Sequence, residues 1–308
     1  MAYRYGIFSG SFTHVGGTMH LQQLDSQSLS AGSRRKIIRA GGSINPAAHI
    51  LSTANPRAQF RTSDLVTLHT AMGSAFYLYC SGGHVMRYQK RLEGGAFYSG
   101  SDHFVQSTAR GFLHITEIVA DIDSDEGAYA ALEYIPLSVA GENPITNTPA
   151  TSFAAAPAPA FMSQYFMGGL WAAATPVLGM TRFRFAPGVA FGSRRSDGGV
   201  FARADASSIV AQDPMYDLTF LNAQFPYDIG TFFMTVLGAA MKGYLQRGTT
   251  AADGRIAGAT SSHIRYQAAA GSWGIDSLQV AGIDDATTSV QIMPTGSVVP
   301  TVGVALGA

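Results

Sequence analysis

Apolar and polar side chains alternate with a period of two along most of the chain, and the runs are broken by glycine, proline and asparagine, which predicts short strands joined by turns. Ala58 and Phe60 alternate with Gln59 and Arg61 just after a turn at Asn55-Pro56. Tyr3, Tyr5 and Phe8 are the apolar positions of an opening strand-and-turn region over residues 1 to 30. Phe76 to Tyr88, Phe97 to Ile118 and Ala131 to Val139 read as further strands, with turns at Gly82-Gly83 and Gly94-Gly95. Helical spacing enters at Leu65, Leu68 and Met72, directly after Ser63-Asp64, whose carboxylate suits an N-cap; a helix of about two turns is predicted there. In the second half Pro226 interrupts the matching stretch, so that helix is expected to be shortened, moved to Gly230 to Met241, or lost. The expected class is mainly β.

Landmarks recur at a near-constant offset. Gly32-Ser33-Arg34-Arg35 returns as Gly192-Ser193-Arg194-Arg195 (192 − 32 = 160), and Asn55-Pro56 as Asp213-Pro214 (214 − 56 = 158). His103 returns as His263 (263 − 103 = 160) and Pro136 as Pro294 (294 − 136 = 158). Ordered landmarks at one offset predict an internal duplication. The expected architecture is two tandem β-sandwich or barrel domains, each with a short helix: residues 1–142, a Pro/Ala-rich linker over 143–168, and residues 169–308. The second domain ends in an uncharged arm rich in Val and Thr, fit to add as a strand to a neighbouring subunit.

Composition changes the picture in one direction. Charged residues make up 13% of the 308, about half the usual share, and lysine occurs only at Lys36, Lys90 and Lys242. So little charge predicts a surface covered largely by copies of itself. The 20 basic and 20 acidic side chains cancel, which removes the case for a nucleic-acid binder with a basic face. Cys80, the only cysteine, allows neither an intrachain disulfide nor a cysteine metal cage, and sits in an apolar run as a core residue. The opening residues lack the pattern of a signal peptide, so export by the general secretory route is not expected. The uncharged stretch Asn143 to Thr181 is cut by five prolines and predicts no membrane span.

Catalytic and cofactor signatures are missing: there is no phosphate loop, nucleophile elbow or metal-ligand spacing of histidines. The repeated His103 and His263 read as side chains that the fold fixed before duplication. Asp121, Asp123, Asp125 and Glu126 cluster as calcium ligands do, but the spacing departs from the usual calcium loop. No enzyme activity, metal or cofactor is expected. Arg34, Arg35, Arg194 and Arg195, which flank turn glycines, are candidates for bidentate contacts between subunits.

With the repeat in hand, Asn45-Pro46-Ala47 and the run Pro56-Arg57-Ala58-Gln59-Phe60-Arg61-Thr62-Ser63-Asp64-Leu65 resemble phage virion proteins, most of all the tail tube (major tail) proteins of the two-domain type. That resemblance implies a structural subunit of the virion tail, assembled in the host cytoplasm, in which three chains form a pseudo-hexameric ring and stacked rings carry DNA. It implies as partners the chain itself, a tape-measure protein and transiting DNA bound without sequence specificity. Asp123, Asp125, Glu126, Asp284 and Asp285 are then expected to line the lumen, where carboxylates repel phosphate. Other virion rings, a double jelly-roll capsid protein, and a carbohydrate-binding module or adhesin are the competing expectations.

Overall fold

The computed structural model describes residues 4–21, 24–39, 41, 45, 47–91, 103–124, 127–150, 164–192, 194–195, 199–221, 240–249, 254–269, 273–281 and 287–308. The first part of the chain gives strands β1 (Arg4–His14), β2 (Gly17–Leu21), β3 (Leu24–Ser30), β4 (Ser33–Ile38), β5 (Ala48–Ala54) and β6 (Arg57–Thr62). Helix α1 (Leu65–Met72) follows, then β7 (Tyr77–Cys80), β8 (His84–Arg91), β9 (His103–Thr108), β10 (Arg110–Asp121), β11 (Tyr129–Leu137) and β12 (Ile145–Ala150). The second part gives β13 (Tyr165–Ala172), β14 (Thr175–Val177), β15 (Met180–Ala186), β16 (Val189–Gly192), β17 (Ser208–Gln212) and β18 (Met215–Phe220). It closes with β19 (Met241–Arg247), β20 (His263–Ala268), β21 (Trp273–Ala281), β22 (Thr287–Pro294) and β23 (Val298–Val304).

Among the described residues the duplication is visible strand for strand, except at β7, which has no described counterpart. One sheet of the first copy runs β12-β9-β8-β1-β2 and its counterpart runs β23-β20-β19-β13-β14; the facing layers run β10-β11-β6-β3 and β21-β22-β18-β15. Ladder irregularities also recur in place, between Ile7 and Ser9 as between Met167 and Gly169, and between Arg34 and Arg35 as between Ala190 and Phe191. A bulge bends a strand and re-aims its side chains, so matched bulges mean matched curvature. Each copy is thus a pair of packed antiparallel sheets with a projecting hairpin, β4–β5 or β16–β17.

The tetrapeptide repeat itself does not survive in space. Gly32 is matched by Gly188, not Gly192: both take positive φ (+51° and +65°). Each accepts a hydrogen bond on its carbonyl from the residue that closes the hairpin, Asn55 N at 3.3 Å and Asp213 N at 3.1 Å. In both, a β-carbon would collide with that residue's carbonyl oxygen. Gly32→Ala and Gly188→Ala should therefore each lower stability by about 2 kcal/mol or more in urea titrations, while Gly17→Ala, with positive φ but open space around it, should cost less.

Helix α1 forms where its cap and spacing predict it, with Asp64 Oδ1 accepting from Thr67 N at 3.3 Å and Leu65, Leu68 and Met72 buried. The matching segment of the second copy, 222–239, lies outside the described residues. Two other boundaries move. The linker begins later than 143, because Ile145–Ala150 is edge strand β12, paired with β9; its Pro149 is tolerated there since an edge position need not donate. The second copy begins by Tyr165, ahead of residue 169. The expected C-terminal arm pairs within its own copy: β23 lies against β20, with Val298 opposite Ala268 and Val299 opposite Gln267. Lys242 Nζ, Tyr244 Oη and Arg265 Nη1 then all donate to the Ala308 carbonyl oxygen, at 2.9, 2.6 and 2.8 Å.

Candidate assembly interface

The two copies meet edge to edge. Strand β15 of the second copy pairs antiparallel with β10 of the first, Ile118 opposite Phe185 through Asp121 opposite Arg182, and Ile122 N extends the ladder to Thr181 O at 2.9 Å. The facing layers thereby fuse into one eight-stranded path, and β7, which pairs with β10 from Tyr77 opposite His114 to Cys80 opposite Gly111, makes it a nine-stranded sheet. Backbone pairing supplies the join, and side chains on both faces reinforce it. On one face, Arg184 is held between Glu117 Oε2 at 2.6 Å and Asp217 Oδ2 at 3.4 Å; the hydrogen bond to Glu117 leads in raising the guanidinium pKa. On the other, Phe185 is fully buried among Phe76, Tyr216 and Tyr266, with ring centroids 4.9 to 5.5 Å apart. Helix α1 adds His69, whose Nε2 lies 2.7 Å from Tyr266 Oη across the join.

A second contact is made by the hairpin. β16–β17 leaves the second copy and covers the outer face of β10 and β11, where Phe112, Ile135, Leu137 and Ala202 form a small separate core with Phe191 and Ile209 against it. Phe112 and Phe191 approach to 5.0 Å between ring centroids. Main-chain bonds stitch the residues beyond β16 to the first copy: Ala54 N to Val200 O at 2.8 Å, Ser138 N to Ala202 O at 2.9 Å and Ala204 N to Ser138 O at 3.0 Å.

This junction joins unlike edges, so among the described residues an unlike edge is left unpaired at each end of the sheet. β3 occupies in the first copy the place that β15 occupies in the second, and among the described residues it pairs only with β6; β21, the counterpart of β10, pairs only with β22. Burial records the difference. Opposite Ala58, Leu29 is the counterpart of Phe185 opposite Tyr216, and it is 46% exposed where Phe185 is fully buried. A cleft of about 610 Å³ opens at the foot of β4, bordered by Ser30, Gly32, Arg34, Asn55 and Arg57.

Of the arginines singled out from the sequence, Arg34 and Arg35 lie exposed in β4, and Arg194 and Arg195 lie beyond β16. Arg195 reaches across the copies, its Nη1 3.5 Å from Ser52 O, whereas the Arg194 bonds run through its backbone, from its N to Ser207 Oγ at 3.2 Å and from Arg203 N to its O at 2.9 Å. Asp123 is exposed in the turn after β10, its N–H donating to Asp121 Oδ1 at 3.0 Å; Asp125, Glu126, Asp284 and Asp285 lie outside the described residues. Among the described residues no group of three or more His, Cys, Asp or Glu side chains is placed to hold a metal, and no helix is long and apolar enough to cross a membrane.

The repeated histidines have a shared structural task. His103 Nδ1 accepts from Lys90 N at 3.3 Å and His263 Nδ1 accepts from Arg247 N at 3.0 Å, so each buried ring satisfies a main-chain donor on the neighbouring strand. His69 and His84 are buried too, and burial lowers both to a pKa of about 3 from 6.5. Burial likewise pushes the Cys80 thiol up to about 12, which leaves it inert. Burial by itself raises the Glu133 carboxyl, but hydrogen bonds and charge from His114 and Arg57 outweigh it and hold the pKa below its ordinary value.

A stability profile follows. The unfolded chain protonates His69 and His84 near 6.5 and the folded chain only near 3, so their contribution is whole above pH 6.5 and drains as pH falls toward 3. Each should remove about 1.4 kcal/mol per pH unit within that window. Glu133 adds to the loss only below its ordinary 4.5. Urea midpoints measured at about pH 7.5 and about pH 5 should therefore differ clearly, and equal midpoints would show that the two rings take up protons in the folded state.

A scan against models of known protein families finds no match, and a search among curated proteins finds none that is significant.

Proposed function

We propose that the chain is a structural subunit that assembles with copies of itself into closed rings, and that these rings stack into the conduit of a phage tail, as the resemblance to two-domain tail tube proteins implies. The observation that carries this is the head-to-tail join of two like copies, with the matching edges, β3 and β21, unpaired on their outer sides among the described residues. A heterologous contact repeated with a fixed rotation closes a ring or grows a filament. One instance of that contact is already built inside the chain. An edge with unpaired backbone groups and an exposed leucine is also a hazard unless something covers it, and a second copy covers it with the groups already in place. Three chains then give six copies.

The channel would carry DNA, and before it a tape-measure protein, without sequence-specific contacts. Asp123 sits just past the end of junction strand β10, consistent with a place on one rim of the ring. Together with Asp125, Glu126, Asp284 and Asp285 it is proposed to face the lumen. Mass photometry over a concentration series tests the ring directly. Particles of three chains, stacking at higher concentration, are the expected result; a monomer at every concentration would remove the proposal.

A further inference from the structure

We propose that the β4–β5 hairpin of one chain docks on the outer face of β21 and β22 of the next, through Leu51 and Ile37 against Met293, which presupposes the ring assembly proposed above. The template is the internal hairpin contact. β16–β17 covers Phe112, Ile135 and Leu137 on β10 and β11. Sheet register identifies the residues that take those places in the second copy. Ile135 is opposite Phe112, next to the Pro136 pair; Met293 is opposite Gly274, next to the Pro294 pair. Met293 is therefore the counterpart of Ile135, and it is 44% exposed where Ile135 is 3% exposed.

The hairpin shows the complementary difference. Matched bulges align Phe191 opposite Ile209 with Arg35 opposite Leu51. Phe191 and Ile209 are packed on the small core, whereas Leu51 is 38% exposed and Ile37, two residues along the same face from Arg35, is 49% exposed. Exposed apolar side chains on the hairpin, Leu51 and Ile37, and an exposed Met293 on β22 thus stand, in one chain, at the places that the internal junction brings together. The occupant of each is the other, supplied by a second copy. The match departs from its template at two places: Arg35 replaces Phe191 and Gly274 replaces Phe112, so a long aliphatic stem lies over a position without a side chain in place of two stacked rings, and the exposed Thr295 replaces Leu137 beside Met293.

Leu51→Cys combined with Met293→Cys tests the contact, because the single natural cysteine is buried and does not compete. Under mild oxidation the double variant should form disulfide-linked dimers and trimers. Leu51→Cys combined with Val15→Cys, which places the second thiol on the exposed turn between β1 and β2, a residue that is no part of the proposed contact, should not. Leu51→Asp, on an exposed position, should keep the wild-type circular dichroism spectrum and raise the concentration needed for assembly at least about tenfold. Wild-type rings together with no cross-linking, or with unchanged assembly of Leu51→Asp, would overturn the docking and leave the ring standing. A wild-type chain that stays monomeric would overturn both.

Discussion

Phe185→Ala should lower stability by about 3–5 kcal/mol and unfold both copies in one transition. Phe185 lies on β15, the second copy's junction strand, but its ring contacts Phe76 of the first copy as well as Tyr216 and Tyr266 of the second. Truncation leaves a cavity where the two cores merge, since the buried side chains of both copies form one contiguous cluster. The adjacent hydrogen bond between His69 and Tyr266 also crosses the join and would lose its packing. Calorimetry decides the matter: a single transition shifted to lower temperature is expected. Two separated transitions, with that of the first copy unchanged, would mean that the copies are independent sandwiches that happen to touch.

Leu29→Asp should have the opposite signature, little change in the stability of the single chain and at least about a hundredfold rise in the concentration at which rings form. Leu29 is nearly half exposed in the chain, so a carboxylate there remains hydrated. In a ring Leu29 would take the environment that Phe185 has at the internal join, and a carboxylate desolvated against apolar side chains costs several kcal/mol unless it is paired. The expected neighbour is β21 of the next chain, where the internal register places Val280 opposite Leu29, as Ile118 stands opposite Phe185. Mass photometry beside urea unfolding separates the two effects. Assembly at the wild-type concentration would mean that β3 is not an interface edge.

Much of the fold was legible because local chemistry and global structure agree. The Asp64 cap with Leu65, Leu68 and Met72 gave α1, and the alternation in Arg57–Thr62 gave β6, whose burial alternates residue by residue. The duplication was legible as well, through landmarks such as His103 and His263 that do the same work in both copies. Its most conspicuous sign was misleading. Gly-Ser-Arg-Arg recurs four residues out of step with the backbone, because what the fold requires at Gly32 and Gly188 is a left-handed residue against a carbonyl. The uncharged tail read as an arm since Thr, Val and Gly in an edge strand resemble a strand awaiting a partner; the partner, β20, lies in the same copy.

The join between copies left no mark of its own in the sequence. It is made chiefly of backbone hydrogen bonds, which any residue except proline can supply. The alternation of Arg182 and Arg184 with Phe183 and Phe185 looks like an ordinary half-exposed strand. Only the structure brings Glu117 and Asp217 to Arg184 and the aromatic cluster to Phe185. For the same reason the open counterparts of this join, Ser28 and Leu29 on one side and Val280 on the other, are ordinary strand residues until the two copies are superposed.

Cryo-electron microscopy of the purified, assembled protein tests the central claim most directly. The account predicts a ring of three chains in which β21 of each chain continues the sheet into β3 of the next, Val280 opposite Leu29, so that internal and intermolecular joins alternate with the same register. Rings joined through other surfaces, or particles in which β3 and β21 stay open to solvent, would contradict it.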